Sequence, residues 1–185
     1  MSPDHRIYRY VGPDDLRSSV RPETAGRLVD TAAAFHAWAA ERAAAEWAEP
    51  FTFVIDQEGA LLLAPRRSEH VACAGGGPVL SAGETGFHLR AGRRSVHEIS
   101  NRSTGHCPDP ASWPAVAAAL ERAGLEHPGR FTHGIVFRRC PACAEVNIVR
   151  EGDFACVFCD ADLPAAWNVD PTGAWPRQHE GPPAR

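Results

Sequence analysis

Apolar positions along the chain change period from one segment to the next. From Pro22 to Trp47, Leu28, Ala32, Phe35, Ala39 and Arg42 lie three or four apart and Trp38 widens the stripe. That spacing predicts one long N-terminal helix, ended by Pro50. Phe51 to Ile55 and Ala60 to Ala64 read instead as two strands joined across Gln57-Glu58-Gly59, a hairpin. Short alternating runs follow in a glycine-rich stretch, and Pro78 to Ser81, Thr85 to Leu89 and Ser95 to Ser100 each suit a strand, with Gly92 turning between the last two. A second, short helix is expected from the N-cap Ser112 through Pro114 to Ala123, closed by Gly124. Phe131 to Phe137 is a further strand.

The expected fold class is α+β: a small, mainly antiparallel sheet with one long N-terminal helix and a short later helix, followed by a cysteine-rich segment. The expected boundaries are 1–130 for the α+β domain, 131–169 for the cysteine segment, and 170–185, rich in proline and glycine and without periodicity, for a disordered tail.

The cysteine segment reads Cys140-Pro-Ala-Cys143, twelve intervening residues, then Cys156-Val-Phe-Cys159. Each C-x-x-C brings two sulfurs to one metal, and the chain between them can pair as a hairpin turning at Glu151-Gly152-Asp153. Four thiolates close a tetrahedron and leave no position for a water, so the metal is expected to supply folding energy and not hydrolysis. Arg138 and Arg139 stand where they could offset the negative charge. Over Cys140 to Cys159 the segment resembles the zinc ribbon group, which implies a structural Zn2+ held by Cys140, Cys143, Cys156 and Cys159. A thioredoxin-like site would start a helix after a strand. A zinc deaminase would need a proline where Arg139 stands and an upstream H-x-E.

The chain has 185 residues, 44% of them apolar, and a net charge of −4. That supports one cored domain with a small appendage and argues against indiscriminate binding to nucleic acid. It contains no lysine, which excludes Walker-type phosphate loops, pyridoxal phosphate Schiff bases and serine-lysine dyads. Abundant Ala, Arg, Gly and Pro suit a GC-rich bacterial genome. Without a leader-like segment or a long uncharged apolar run, a cytoplasmic location and no membrane partner are expected. Paired cysteines suit a reducing compartment.

Polar chemistry concentrates between Arg66 and Pro110. Residues 66 to 102 hold six arginines against three glutamates, so an anionic ligand is admissible there. His70 and His106 could serve as general bases and Glu84 could orient one of them, although histidines in turns are more often structural. Arg66, Arg67, Asn101, Arg102, Ser103 and Thr104 could present a guanidinium and backbone donors to a phosphate or carboxylate. Cys107 beside His106 could be a nucleophile or a buried apolar group. Gly75 to Gly77 lack the dinucleotide fingerprint and read as a turn. His70, Gly75, Gly76, Ala82, Gly83, Glu84, Gly105 and His106 together resemble, in order, a segment of plant IQ-motif calmodulin-binding proteins and some bacterial proteins. Thr104 interrupts the turn motif, Cys107 replaces its tyrosine, and without an IQ motif calmodulin binding is not implied.

The expected function is a soluble binding or adaptor protein whose central block contacts an anionic small molecule or a protein, with zinc for rigidity. The alternatives are a hydrolase or transferase with His70, Glu84 and His106 in one pocket beside Arg102, and a nucleic-acid binder using the cysteine segment and arginines.

Overall fold

The computed structural model describes residues 5–90 and 92–170. The elements are α1 (Asp14–Ser18), β1 (Arg27–Leu28), α2 (Ala32–Ala40), β2 (Phe51–Ile55), β3 (Leu61–Ala64), α3 (His70–Cys73), β4 (Ser81–Arg90), β5 (Arg93–Ile99), α4 (Trp113–Arg122), β6 (Val136–Arg139) and β7 (Val146–Val149), with short 3-10 turns between some of them. Strands β1 to β5 form one antiparallel sheet in the order β1-β3-β2-β4-β5, and β6 and β7 form a separate antiparallel pair. Among the described residues no helix is long and apolar enough to cross a membrane.

The long N-terminal helix is not formed. Residues 22 to 47 divide into a 3-10 turn at Pro22–Thr24, the two-residue strand β1, α2 and a second 3-10 turn at Ala44–Ala48. Two local features decide this. The Thr31 hydroxyl accepts the Ala34 amide at 3.1 Å, an N-cap that starts a helix where the periodicity alone would continue one. Before it, Arg27 and Leu28 pair with Leu63 and Leu62, and the Gly26 amide bonds the Cys73 carbonyl at 3.0 Å. The tertiary sheet edge takes these residues from helix to strand.

The 51–64 hairpin forms as expected, with Thr52 to Ile55 in register with Ala64 to Leu61. Strand β2 is buried along its whole length because both faces of the sheet are covered. Its Phe51, Phe53 and Ile55 face the main core with α2 and α4. There Phe35, Trp38, Trp47, Phe51 and Phe87 form an aromatic cluster, Trp38 meeting Phe51 edge-on at 4.9 Å and 71°. Val54 faces the other side, with Tyr8, Ala64, Cys73, Val79 and Ala82. The strand expected at Pro78 to Ser81 reduces to a bridge between Val79 and Tyr8, with Ser81 opening β4. α4 runs as expected to a Gly124 at φ +68°, but Ser112 does not cap it through its side chain, whose hydroxyl lies 3.0 Å from that of Ser81.

The strand expected at Phe131 to Phe137 begins only at Val136. Phe131 packs edge-on against Trp113, while Thr132 bonds Ile99 and His133 bridges to Ser100. The sheet and the cysteine-rich segment are joined by Asn101, which is fully buried. Its amide nitrogen donates to the carbonyls of Pro108 (2.7 Å) and Ile135 (2.8 Å), and its oxygen accepts the Ile135 amide (2.7 Å). Replacing it with alanine leaves three backbone groups without partners. Asn101→Ala is therefore expected to cost about 3 kcal/mol, read as a fall in the urea midpoint at unchanged slope. Of the expected disordered tail, 170–185, all but Asp170 lies outside the described residues.

Candidate metal centre and central cleft

The two C-x-x-C segments fold into matching knuckles. In the first, Ala144 donates to the Cys140 carbonyl (3.0 Å) and Cys140 to that of Glu145 (2.9 Å); in the second, Asp160 donates to Cys156 (2.9 Å) and Cys156 to Ala161 (2.9 Å). Ala144 and Asp160 occupy the same place in each, both at positive φ, +82° and +60°. The four Sγ atoms lie within 4.8 Å of one another, with Cys140 to Cys159 at 3.6 Å and Cys143 to Cys156 at 3.5 Å. A tetrahedral metal with bonds of about 2.3 Å sets its sulfurs roughly 3.8 Å apart, so the cluster can hold one ion.

Donors already surround the sulfurs. Ala142 and Cys143 point their amides at Cys140 Sγ (3.4 and 3.5 Å). Buried Asn147 on β7 reaches Cys156 Sγ at 3.5 Å while its oxygen accepts the Val157 amide at 2.9 Å, tying the hairpin to the second knuckle. Sequence reading missed Asn147, a polar residue in a short apolar strand. The arginines expected to offset the sulfur charge are placed otherwise. Arg138 is buried and bonds the Pro164 and Ala165 carbonyls and Asp109, and Arg139 bonds the Ala144 carbonyl. The turn at Glu151-Gly152-Asp153 forms, closed by Asp153 N–H to the Arg150 carbonyl at 2.9 Å.

In the central block one close approach organises the rest. Gly83 lies under the backbone of Ser100 and Asn101, where any Cβ would overlap the Ser100 carbonyl oxygen. The segment after β5 therefore crosses β4 and carries Asn101 to Arg102 over the sheet. On the same side, His70 at the start of α3 places Nε2 3.1 Å from the Gly83 carbonyl.

His70 and His106 come together. Burial depresses both, and His106, with no exposed surface, is pushed down to about 4, the neighbouring His70 ring adding to the fall. The edge of the Tyr10 ring meets His106 at 5.4 Å, and neither His106 nitrogen makes a hydrogen bond. The Gly77 carbonyl favours the charged form but is outweighed by burial. Glu84 is near enough to His70 to favour its charged form, but no hydrogen bond joins any two of His70, Glu84 and His106. A sealed imidazole with so low a pKa is a poor general base at neutral pH and cannot touch a substrate, so the three residues do not form the pocket expected of them. Cys107 is likewise closed: burial raises its thiol to about 12, and it packs with Phe137 and Val169.

The expected ligand-binding residues scatter. Asn101 is wholly engaged in the fold, and Ser103 is buried, its oxygen facing the His106 amide. Arg66 is paired with Glu49. Arg67 sits in an exposed turn at φ +63°, and exposed Thr104 lines a small cavity of about 70 Å³ with His70 and Tyr10. Arg94 lies 3.2 Å above the Trp47 ring. Arg66 and Arg94 are therefore already engaged within the fold.

Glu84 and Arg102 do share a cleft. It measures about 230 Å³ and is lined by Pro50, Glu84, Glu98, Ile99, Ser100, Arg102, His133 and Ile135. Glu98 and His133 are additions that sequence reading did not make. Glu98 arrives opposite Gly86, beside a register shift in the β4–β5 pair, and His133 arrives through the bridge to Ser100. His133 Nδ1 lies 3.0 Å from the Thr132 hydroxyl, whose proton is directed to the Ile99 carbonyl. Nδ1 is then the donor of the ring, leaving Nε2 as an acceptor. The cleft thus offers two carboxylates and an imidazole acceptor against one guanidinium. No protein-family model, curated protein or solved structure matches the chain, and the likeness of the central block to plant IQ-motif proteins finds no support there.

Proposed function

We propose that the chain is a zinc-stapled binding module whose ligand enters the cleft between Glu84, Glu98, Arg102 and His133. The observation that carries this reading is the cleft itself: side chains from β4, β5 and the segment entering the cysteine hairpin converge on one space of about 230 Å³. That space suits a small polar molecule. Its charge balance turns the expectation of a simple anion toward a zwitterion or a molecule rich in donors, with an anionic end on Arg102 and an ammonium or hydroxyls on the two carboxylates. In this reading zinc is the metal of the four thiolates, and the segment is a zinc ribbon. A closed sulfur set suits a structural ion, which holds β6 and so the His133 to Ile135 wall of the cleft in place.

The test is calorimetric titration of the full chain with free amino acids and, separately, with inorganic phosphate. Arg102→Ala and Glu84→Gln are each expected to weaken amino-acid binding by about tenfold, the loss of one charge-assisted contact. Phosphate binding that strengthens in Glu84→Gln, with no binding of amino acids, would restore the anion reading and sink this one. Catalysis abolished by His70→Ala at unchanged stability would favour the enzyme.

A further inference from the structure

A second cavity, of about 550 Å³, lies away from the cleft, among the N-terminal segment, α2, β3 and α3. Trp38, Leu63 and Ala64, all nearly inaccessible, form its floor, and Leu16 of α1, Pro65 and Ala72 of α3 supply apolar walls. Its volume falls in the range typical of small-molecule sites, roughly 300 to 1,000 Å³.

The charges on its rim are not balanced. Arg27 pairs with Glu41 at 3.4 Å, and Arg42, whose guanidinium lies 5.5 Å from the Trp38 ring, pairs with Glu41 at 3.5 Å and Glu46 at 3.3 Å. Both arginines are therefore neutralised within their own network. Glu23 and Glu69 also line the cavity, and neither has an ion-pair partner among the described residues. An apolar floor under two uncompensated carboxylates selects for an apolar body carrying positive charge and repels an anion of the same shape.

We infer that this cavity is a binding site for a small amphipathic cation, an aromatic or aliphatic amine, with its apolar part against the Leu16, Pro65 and Ala72 walls and its ammonium toward Glu23 and Glu69. The site is independent of the Glu84–Arg102 cleft and stands or falls separately from it.

Three probes sharing an indole body separate charge from shape: tryptamine, indole-3-acetamide and indole-3-acetate, titrated calorimetrically into the metal-loaded full chain. Tryptamine is expected to bind about tenfold more tightly than indole-3-acetate, with the neutral amide between them and the difference shrinking as salt is added. Glu23→Gln combined with Glu69→Gln should remove most of the preference while leaving the amide unaffected. Ala72→Leu, which fills the cavity from α3, should weaken all three probes. The cleft variants Arg102→Ala and Glu84→Gln should change none of these affinities. Failure of all three probes to bind in the low millimolar range overturns the inference, as does equal affinity for amine and acid. So does tryptamine binding indifferent to both the double variant and Ala72→Leu; should Ala72→Leu fail to fold, the double variant, changed only at exposed carboxylates, decides alone.

Discussion

Withdrawing the metal with a high-affinity chelator is expected to strip amide-exchange protection from residues 136 to 149 while most of the five-stranded sheet keeps its own. The hairpin is short, its two strands exchange only four residue pairs, and on the knuckle side its core is chiefly the cysteines themselves with Leu163, while Phe137 packs on the other side with Cys107 and Val169. Without the ion the knuckle side has little apolar area to offset the entropy of ordering it, and metal binding is expected to supply much of the difference. Native mass spectrometry should find one zinc ion per chain. Cys156→Ser, which removes from the cluster the buried sulfur that Asn147 contacts, should lower zinc affinity by more than about 100-fold, beyond the range associated with outer-shell changes. Asn147→Ala should fall within that range, about 10-fold to 100-fold, and speed metal release without changing the stoichiometry. Freshly purified chain that carries no metal, or a chelated chain whose protection at 136–149 is intact, would refute the zinc assignment. Because His133 and Ile135 border the cleft and lead into β6, chelation should also weaken any cleft ligand.

Acidification should destabilise the fold well above the pH at which carboxylates protonate. His106 titrates near 6.5 when unfolded and at about 4 when folded, so between these values the unfolded chain binds more protons. Stability contributed by the neutral ring is complete above about pH 6.5 and declines as pH falls toward 4, by about 3 kcal/mol in all. His70 acts in the same direction, since burial also lowers its pKa. Metal release from protonated thiols adds to the loss at low pH, so the decisive quantity is a difference between proteins. His106→Phe keeps an aromatic ring against Tyr10 but cannot protonate. Its urea midpoint should depend visibly less on pH between 6.5 and 4 than that of the parent chain, both measured with zinc in excess. Identical slopes would mean that His106 is not sealed in solution.

These two regions differ in how far the sequence announced them. The clustering of the four cysteines was legible because its signal is local: two C-x-x-C pairs set by backbone turns, with no need to know what the rest of the chain does. The 51–64 hairpin was legible for the same reason. The long helix was misread because an alanine-rich stretch satisfies helical spacing across almost any boundary. The signal that breaks it, Thr31 as an N-cap after Asp30, was present and outvoted by periodicity. The cleft could be read only by half. Glu84 and Arg102 sit in a visibly polar block, whereas Glu98 and His133 reach it through strand register and a single bridge, which depend on distant pairing. His106 looked like a reactive group because of its neighbours in sequence. Its neighbours in space make it inert.

Asn101 bears on how this chain could be divided. A cloning junction or proteolytic cut at residue 130 would fall in an exposed bend and look harmless by composition. Yet it would take away two of the three hydrogen bonds that the Asn101 amide makes, those with Ile135, and leave the third, with Pro108, inside the first fragment. Two fragments made this way are expected to reassociate when mixed, the first recovering in its partner the backbone groups its buried amide lacks. In that sense the border between sheet and hairpin is a seam sewn by the Asn101 amide together with Phe131, Thr132 and His133, and complementation in trans, not independent folding, is how its two sides should behave.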